Sequence, residues 1–454
     1  MRNDAAQIGL ELLFLAGFAA FACDDSATGD EDAGADTDAD VDCSGALWFE
    51  DANFEQAIRD AIGKPSGELY AADVAELTML EAQWRGIVSL DGVQCLTSLT
   101  ILAANYNEIS ELPSLADLTS LTGLGLEDNQ LSDVAGVSSA TSLTGLNLAY
   151  NQISDLAPLS GLTSLQYLHL EGNLITDLTP LASLTLLPNL ELQENQIEDL
   201  SPLASLVWLN SLDLHDNQIT DLTGLSTLIH LWYLNLDGNQ ITDLGPLSSL
   251  TLLQQLHLAD NQIGDLTPLA PLTNLDVLRL PRNQIDDLTP LSSLTVLYSL
   301  DLQENQITDI SPLASLTSLV HLYLNDNQIS DISALSSLTW LNRLYLYNNQ
   351  IEDIAPLAEL SNLQSLRIYE NQIADIAPLE SLTSLVELTL NTNLITDLAP
   401  LVANLGIDTG DLVSLGSNSI DLVAQSENIQ ALQDRDVCIH GDGFEPTYEG
   451  CFEY

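Results

Sequence analysis

Apolar residues recur along most of the chain with a period of 22 residues, and an asparagine marks each period. The asparagines at this spacing are Asn107, Asn129, Asn151, Asn173, Asn195, Asn217, Asn239, Asn261, Asn283, Asn305, Asn327, Asn349, Asn371 and Asn393. Each period also reserves seven positions for Leu, Ile or Val. A period of this length indicates one short unit repeated along an axis, with each copy burying its apolar residues against the next. The pattern therefore predicts a solenoid of about 15 units.

The residues three and five before each asparagine are apolar and alternate with polar residues, as Leu146 and Leu148 do before Asn151. This alternation predicts a short strand with one buried face, and successive strands are expected to stack in parallel. The asparagines of the 22-residue series, here called ladder asparagines, stand where the chain leaves the strand. An amide at that point satisfies backbone groups that no regular ladder reaches, so their predicted role is structural.

An acidic residue follows most ladder asparagines by four positions, and a proline often comes three residues later, as Asp155 and Pro158 do. Aspartate before an apolar pair is typical of a cap on a short helical turn. A regular column of carboxylates also raises the alternative of calcium binding. Because each aspartate is explained as a turn cap, we predict no metal site.

The repeat Asn-x-Ile-x-Asp-Leu-x-Pro-Leu-x-x-Leu-x-x-Leu-x-x-Leu-x-Leu resembles the 22-residue leucine-rich repeat of the bacterial internalins, over roughly residues 80–420. A leucine-rich regulator of protein phosphatase has the same repeat length. The resemblance implies an α/β repeat solenoid, a horseshoe with a parallel β-sheet on its concave face and 3₁₀ or extended segments on its convex side. Internalin-like proteins are surface or secreted binding proteins, so it also implies a binding function.

The N-terminal residues differ in composition from the repeats. Residues 1–22 contain an apolar run too short to span a bilayer, which predicts an export signal. A small residue precedes Cys23, and this junction resembles a lipoprotein processing site, so Cys23 is the candidate for lipidation. A plain secretion signal without an anchor is the alternative. Residues 23–43 are acidic and lack core-forming side chains, which predicts a disordered tether.

Both ends of the solenoid, predicted over residues 80–420, are expected to carry caps. Residues 44–79 hold apolar residues at helical spacing and predict a helical N-terminal cap over the first repeat. Residues 421–454 predict a divergent C-terminal cap that begins with an amphipathic helix from Asp421 to Arg435.

The remaining cysteines fall near these caps. We predict two disulfides, Cys43 with Cys95 and Cys438 with Cys451, each clamping a cap that would fray more readily than the stacked middle. Free thiols in a cytosolic protein are the alternative.

Composition narrows the class of partner. The chain has 66 Asp or Glu residues against 9 Lys or Arg residues, a formal charge of −57, which argues against nucleic acid and favours a basic or mixed protein partner. Alternatively, the acidity only solvates the convex surface. Lys64 is the only lysine and lies outside any glycine-rich loop, which excludes P-loop and Schiff-base chemistry and predicts no cofactor.

The residues six, four and two before each ladder asparagine are free of the repeat pattern and are predicted to face solvent on the concave side. We call them the free positions; the residue immediately before the asparagine is the exit position. These sites are enriched in large side chains with polar tips. The preference of tyrosine for β-strands explains only part of this enrichment. The predicted partner-binding residues among them are Tyr167, His169, Tyr233, Arg279, Arg282, His321, Tyr323, Arg343, Tyr345, Tyr347, Arg367 and Tyr369.

Tyrosine and arginine dominate binding hot spots, so this set favours a binding face. The free positions are acidic from Glu127 to Asp237 and become aromatic and basic from Arg279 to Tyr369. The second stretch is predicted to anchor a partner, while the first supplies orientation and encounter rate.

Catalysis is not expected, because His169 and His257 lie about 20 Å apart and an open sheet does not exclude water. The predicted function is a non-catalytic, monomeric binding protein on the cell envelope or secreted. An intracellular regulator resembling the phosphatase-binding type and a carbohydrate-binding adhesin are the alternatives.

Overall fold

A computed structural model describes residues 43–442. The predicted export signal, Cys23, most of the acidic tether and Cys451 lie outside the described residues. The chain divides into two compact units, the first ending at Gln218 and the second beginning at Ile219. Each unit is a stack of the predicted repeats.

The first unit begins with a cap built from two short strands and two helices. Strand β1 (Ala46–Leu47) pairs antiparallel with β2 (Leu69–Tyr70). Helix α1 (Ala52–Ile62) buries Phe54 and Ile58, and the short helix α2 (Ala71–Val74) follows β2. The apolar spacing of α1 explains this arrangement, since its buried side chains face the first repeat.

Asp51 and one disulfide fix this cap to the repeats. The Asp51 carboxylate accepts hydrogen bonds from the amides of Asn53 (2.7 Å) and Phe54 (3.0 Å), which caps α1, and its second oxygen accepts one from Val88 (2.7 Å) in the first repeat. The predicted Cys43–Cys95 disulfide is present and closes a sequence separation of 52 residues. Together these contacts tie the N-terminal edge to the stack.

Seven parallel strands follow in the first unit, each three residues long, and residues 22 apart are register partners, as Leu146 and Leu168 are. The strands are β3 (Met79–Glu81), β4 (Ile101–Ala103), β5 (Gly123–Gly125), β6 (Gly145–Asn147), β7 (Tyr167–His169), β8 (Asn189–Glu191) and β9 (Ser211–Asp213). On the opposite side are 3₁₀ helices at Val93–Cys95, Ala135–Val137, Ala157–Leu159, Thr179–Ser183 and Ser201–Ser205.

The second unit repeats the pattern with ten parallel strands. They are β10 (Tyr233–Asn235), β11 (Gln255–His257), β12 (Val277–Arg279), β13 (Ser299–Asp301), β14 (His321–Tyr323), β15 (Arg343–Tyr345), β16 (Ser365–Arg367), β17 (Glu387–Thr389), β18 (Leu412–Ser414) and β19 (Cys438–His440). Its 3₁₀ helices are Thr223–Leu225, Gly245–Ser249, Thr267–Leu269, Thr289–Ser293, Ser311–Ser315, Ser333–Ser337, Ala355–Glu359 and Ala377–Ser381. The predicted leucine-rich repeat fold, with a parallel sheet and 3₁₀ segments, is thus confirmed within each unit.

The C-terminal end departs from the prediction in its helix. Helix α3 (Ala399–Ala403) replaces the last 3₁₀ segment, and helix α4 spans only Ser426–Gln433 rather than Asp421 to Arg435. The Asp421 carboxylate accepts hydrogen bonds from the amides of Val423 and Ala424, so the chain makes a turn before the helix begins. Cys438 is disulfide-bonded. Its pairing with Cys451 remains a prediction.

Each ladder asparagine makes the same set of hydrogen bonds. The side-chain amide of Asn173 donates to the carbonyls of Leu148 (2.9 Å), Leu170 (3.1 Å) and Glu171 (3.3 Å), and its oxygen accepts from the amide of Ile153 (3.0 Å). One side chain therefore links its own strand exit to the preceding repeat. The acidic positions cap the 3₁₀ turns as expected, because the Asp155 carboxylate accepts from the Ala157 amide (2.8 Å).

Candidate partner-binding face

The strands present their free positions on the face of each sheet that lies opposite the buried leucines, here called the open face. Within β15, for example, Leu344 is fully buried while Arg343 and Tyr345 on either side reach solvent. Because register partners are 22 residues apart, equal positions of neighbouring repeats lie side by side. The open face is therefore a set of columns whose chemistry is set by the free positions.

In the second unit, five residues gather into what we call the aromatic cluster: Tyr323, Tyr345, Tyr347, Arg367 and Tyr369. The rings of Tyr323 and Tyr345 meet edge to face with centroids 4.9 Å apart. Those of Tyr347 and Tyr369 stack in parallel at 4.4 Å. The Arg367 guanidinium carbon lies 4.7 Å from the centroid of Tyr345. The side chains predicted to adjoin one another are in contact.

Acidic and polar groups border the cluster on β16 and β17. Arg367 forms an ion pair with Glu387 at 2.7 Å, and Glu387 also accepts a hydrogen bond from the Ser365 hydroxyl. A hollow of about 430 Å³ opens beside them, lined in part by Arg367, Tyr369, Glu387, Thr389 and Asn391. Buried oxygens of Thr389 and Asn391 have no hydrogen-bond partner among the described residues. The polar groups that the hollow presents to an incoming molecule are instead the partly exposed side chains of Arg367 and Glu387.

Burial favours the neutral forms of two tyrosines and one histidine on this face. It raises the pKa of Tyr347 to about 12, with the neighbouring Tyr369 adding to the effect. Burial also raises the pKa of Tyr323. Burial, followed by the charge of Arg343, lowers the pKa of His321. The phenols of Tyr323 and Tyr347 stay protonated near neutral pH, so they remain hydrogen-bond donors with apolar rings.

Several predicted residues lie outside the aromatic cluster. Arg282 forms ion pairs with Asp260 and Glu304, and Arg279 lies 3.8 Å from Asp237, so acidic neighbours within the chain compensate their charge. Tyr233 makes an edge contact with His257 at 5.5 Å. Among the four predicted arginines, only Arg343 forms no ion pair with a described residue. The stretch from Arg279 is thus aromatic, with less available positive charge than the sequence indicated.

The remaining predicted residues, Tyr167 and His169, lie on β7 in the first unit, where the open face is acidic. His169 Nδ1 is 3.0 Å from Glu191 and 3.7 Å from Glu171. Burial alone would lower the pKa of His169, but hydrogen bonding and the charges of these two carboxylates raise it to about 10. The sequence analysis did not predict this triplet. The 22-residue interval between His169 and Glu191 was the signal that would have found it.

The exit positions are a second feature that the sequence did not reveal. Non-glycine residues there adopt positive φ, including Tyr150 (52°), Arg282 (53°) and Thr392 (51°), while Gly172 (65°) occupies the same position in its repeat. The left-handed conformation turns the chain inward after each strand. A Cβ at Gly172 would lie 2.4 Å from the Tyr150 ring, so glycine is required where that ring packs.

Comparison with known proteins identifies the class. The family model described as "Leucine Rich repeats (2 copies)" matches residues 141–183, 188–227, 230–271, 273–315, 317–359 and 361–403. The chain is also similar to the crystal structure of an internalin (inlF) from Listeria monocytogenes, with 36% identity, a TM-score of 0.61 and coverage of 79% of this chain and 94% of that one. The chain belongs to the leucine-rich repeat family and is internalin-like.

Two further similarities concern the fold alone. The functional domain of InlJ from Listeria monocytogenes is 24% identical, with a TM-score of 0.70 and coverage of 82% of this chain and 83% of that one. A TLR13–ssRNA13 complex is 22% identical, with a TM-score of 0.67 and coverage of 87% of this chain and 62% of that one. The second similarity leaves the predicted exclusion of nucleic acid untested.

No curated protein sequence matches the chain. Within residues 43–442, no helix has the length and apolar character needed to cross a bilayer.

Proposed function

We propose that this protein is exported and binds another protein through the open face of its second unit, with the aromatic cluster as the anchor. The single observation that supports this most strongly is the contact geometry of Tyr345, Tyr347, Arg367 and Tyr369. These four large amphipathic side chains form two contacting pairs, Tyr347 with Tyr369 and Arg367 with Tyr345, on a surface where the repeat requires only β-tolerant polar residues. Rigid aromatic groups held in advance of binding lose little entropy when a partner arrives.

The bordering groups give the anchor polarity. A partner residue with a polar tip would hydrogen-bond to the groups that line the hollow, such as the partly exposed Glu387 carboxylate. The excess of carboxylates favours a partner with basic or mixed charge, and the negative charge on the protein repels nucleic acid. An open sheet of this kind binds rather than catalyses, and we propose no enzymatic activity.

A photo-crosslinking amino acid at position 347 tests the assignment directly. It should capture a protein partner, whereas the same amino acid at position 353, on the 3₁₀ side of that repeat, should capture none. Replacing Tyr345 and Tyr347 together by alanine should weaken binding of the captured partner by at least about a hundredfold, in line with two hot-spot losses.

Trp340→Ala is the matched control, because Trp340 belongs to the same repeat and is 65% exposed but lies in the turn before β15. Binding should survive that change. If the control abolishes binding while the double tyrosine variant leaves it intact, the open face is not the site.

A carbohydrate partner is the second candidate, because the parallel Tyr347–Tyr369 pair offers a flat aromatic surface. A glycan array separates the two. Saturable binding of a defined glycan that is lost in the double tyrosine variant would show that the ligand is a carbohydrate rather than a protein.

Export is proposed from residues 1–22 and from the Cys43–Cys95 disulfide, since such bonds persist in oxidising compartments. Cell fractionation and the mass of the mature N-terminus test it. Processing at Cys23 that globomycin inhibits would indicate a lipoprotein. Processing that globomycin does not inhibit would indicate a plain secretion signal. Recovery of the unprocessed chain in the cytosol would favour the intracellular regulator.

A further inference from the structure

The acidic open face of the first unit brings together one histidine and two glutamates from neighbouring strands. His169 and Glu191 are register partners on β7 and β8, and Glu171 follows His169 by two residues. One potential ligand atom from each of the three lies within 4.8 Å of the other two. Within residues 43–442, this is the only group of three such residues at this spacing.

Glu171 supplies a second, independent observation. The residue is 8% exposed, and its Oε2 atom is buried without a hydrogen-bond partner among the described residues. Its Oε1 atom faces His169 at 3.7 Å, so the carboxylate is directed into the triplet. A buried carboxylate oxygen that lacks a partner is costly unless a cation or a donor satisfies it.

The electrostatic surroundings favour a cation. Glu127, Glu194, Asp213 and Asp216 also belong to this acidic face, and every arginine on the free or exit positions lies in the second unit. Clustered charge of one sign raises the local concentration of counter-ions. This field alone would gather ions loosely, and only the three convergent ligand atoms define a position.

The donor set indicates which cation would bind. Imidazole nitrogen suits zinc and its first-row neighbours, whereas calcium and magnesium prefer oxygen ligands alone. Ligand atoms around one zinc ion lie about 3–3.5 Å apart, so small side-chain rotations would bring the three atoms into range. Glu191 is partly exposed, which permits such a rotation.

We propose that His169, Glu171 and Glu191 form a binding site for a divalent ion of the zinc class. The three side chains occupy three coordination positions of the ion. The fourth coordination position faces the open side of the sheet, where water or a group from another molecule can bind. The site is independent of the aromatic cluster and of the partner proposed for it.

Isothermal titration of the untagged, metal-stripped full-length protein with zinc chloride tests the proposal. We expect one equivalent to bind in a saturable step. His169→Gln and Glu171→Gln should each raise the Kd at least about tenfold, because each removes a ligand while approximately keeping side-chain size. Cobalt(II) bound at the same site should give the visible absorption of a low-coordinate complex, and both variants should lose it.

His215→Gln is the matched control, since His215 also contacts a carboxylate, Asp213, at 2.7 Å in the next repeat but has no place in the triplet. Its zinc affinity should equal that of the wild type. Circular dichroism checks that each variant folds. If His169→Gln or Glu171→Gln prevents folding, Glu191→Gln replaces it as the ligand variant.

Three outcomes would overturn the proposal. The wild type binds no zinc, the three variants bind it as tightly as the wild type, or several weak equivalents bind and His169→Gln leaves them unchanged. In each case the triplet is an internal ion pair, and the acidic face attracts cations without a defined site.

Discussion

The open faces of the two units have the same backbone and different chemistry. In the first unit, His169 lies among carboxylates; in the second, Arg367 lies over a tyrosine ring. Yet Asn173 and Asn371 make equivalent hydrogen bonds, and the leucines of both units are buried alike. The ladder asparagines and the buried leucines specify the fold in both units. The free positions can therefore change without disturbing it.

The ladder asparagines give the largest expected effect and test the common frame. Asn173→Ala and Asn371→Ala should each lower the free energy of unfolding by about 3–5 kcal/mol, because each removes four hydrogen bonds and orphans buried backbone groups. Urea unfolding checks this, with the exposed Gln152→Ala and Gln372→Ala as controls. A loss below about 1 kcal/mol in either unit would show that the frame is not shared.

Asp51 tests the attachment of the N-terminal cap to the repeats, which is a feature of the first unit. Asp51→Asn should cost about 2–3 kcal/mol, because it weakens the cap of α1 and the bond to Val88. Burial would raise the pKa of Asp51, but backbone hydrogen bonds, led by the Val88 amide, hold it below 3.8.

The sign of the pH effect follows from that lowered pKa. A carboxylate whose pKa is lower in the folded state stabilises the protein fully above the unfolded value, and its contribution disappears as the pH falls through the folded value. The difference between wild type and Asp51→Asn should be constant near neutral pH and shrink below pH 3.8. A difference that persists unchanged in acid would contradict the assigned hydrogen bonds.

Gly172 sharpens the contrast at the exit positions. Gly172→Ala should lower stability by about 2 kcal/mol, because the new Cβ meets the Tyr150 ring in a left-handed backbone. Adding Tyr150→Ala should recover part of the loss, because the steric conflict is then removed. Thermal unfolding of the four proteins of this double-mutant cycle measures the coupling, and strictly additive effects would rule out the contact.

Thr392 gives the smallest effect, in the opposite direction, in the second unit. Thr392 is β-branched and has φ of 51°, a conformation that costs such a residue about 1–2 kcal/mol. Glycine would relieve this strain, but it loses more conformational entropy on folding, which offsets part of the gain. Thr392→Gly should therefore raise the free energy of unfolding by about 0.5–1 kcal/mol. Urea unfolding that shows destabilisation would mean that the threonine makes contacts that outweigh the strain.

Much of the candidate site followed from periodicity, and its limits have physical causes. The 22-residue register placed Tyr323, Tyr345 and Arg367 side by side, because equal positions on parallel strands are neighbours. It equally placed Arg282 near Asp260, but only the side-chain conformations reveal that these charges neutralise each other. Left-handed exit residues were hidden because Tyr, Glu, Asp and Thr all occupy that position, so no residue type marks it.

The order of residues is enough to predict the repeat, the buried leucines, the parallel strands and the hydrogen-bonding asparagines, because each depends on a residue type at a fixed spacing. Which polar side chains meet is visible only in the folded protein, where Arg367 contacts the Tyr345 ring and His169 lies beside Glu171 and Glu191. Those contacts depend on the rotamers that neighbouring strands allow, and residues on neighbouring strands are 22 positions apart in the chain. The spacing states which residues are neighbours, and packing decides how they interact.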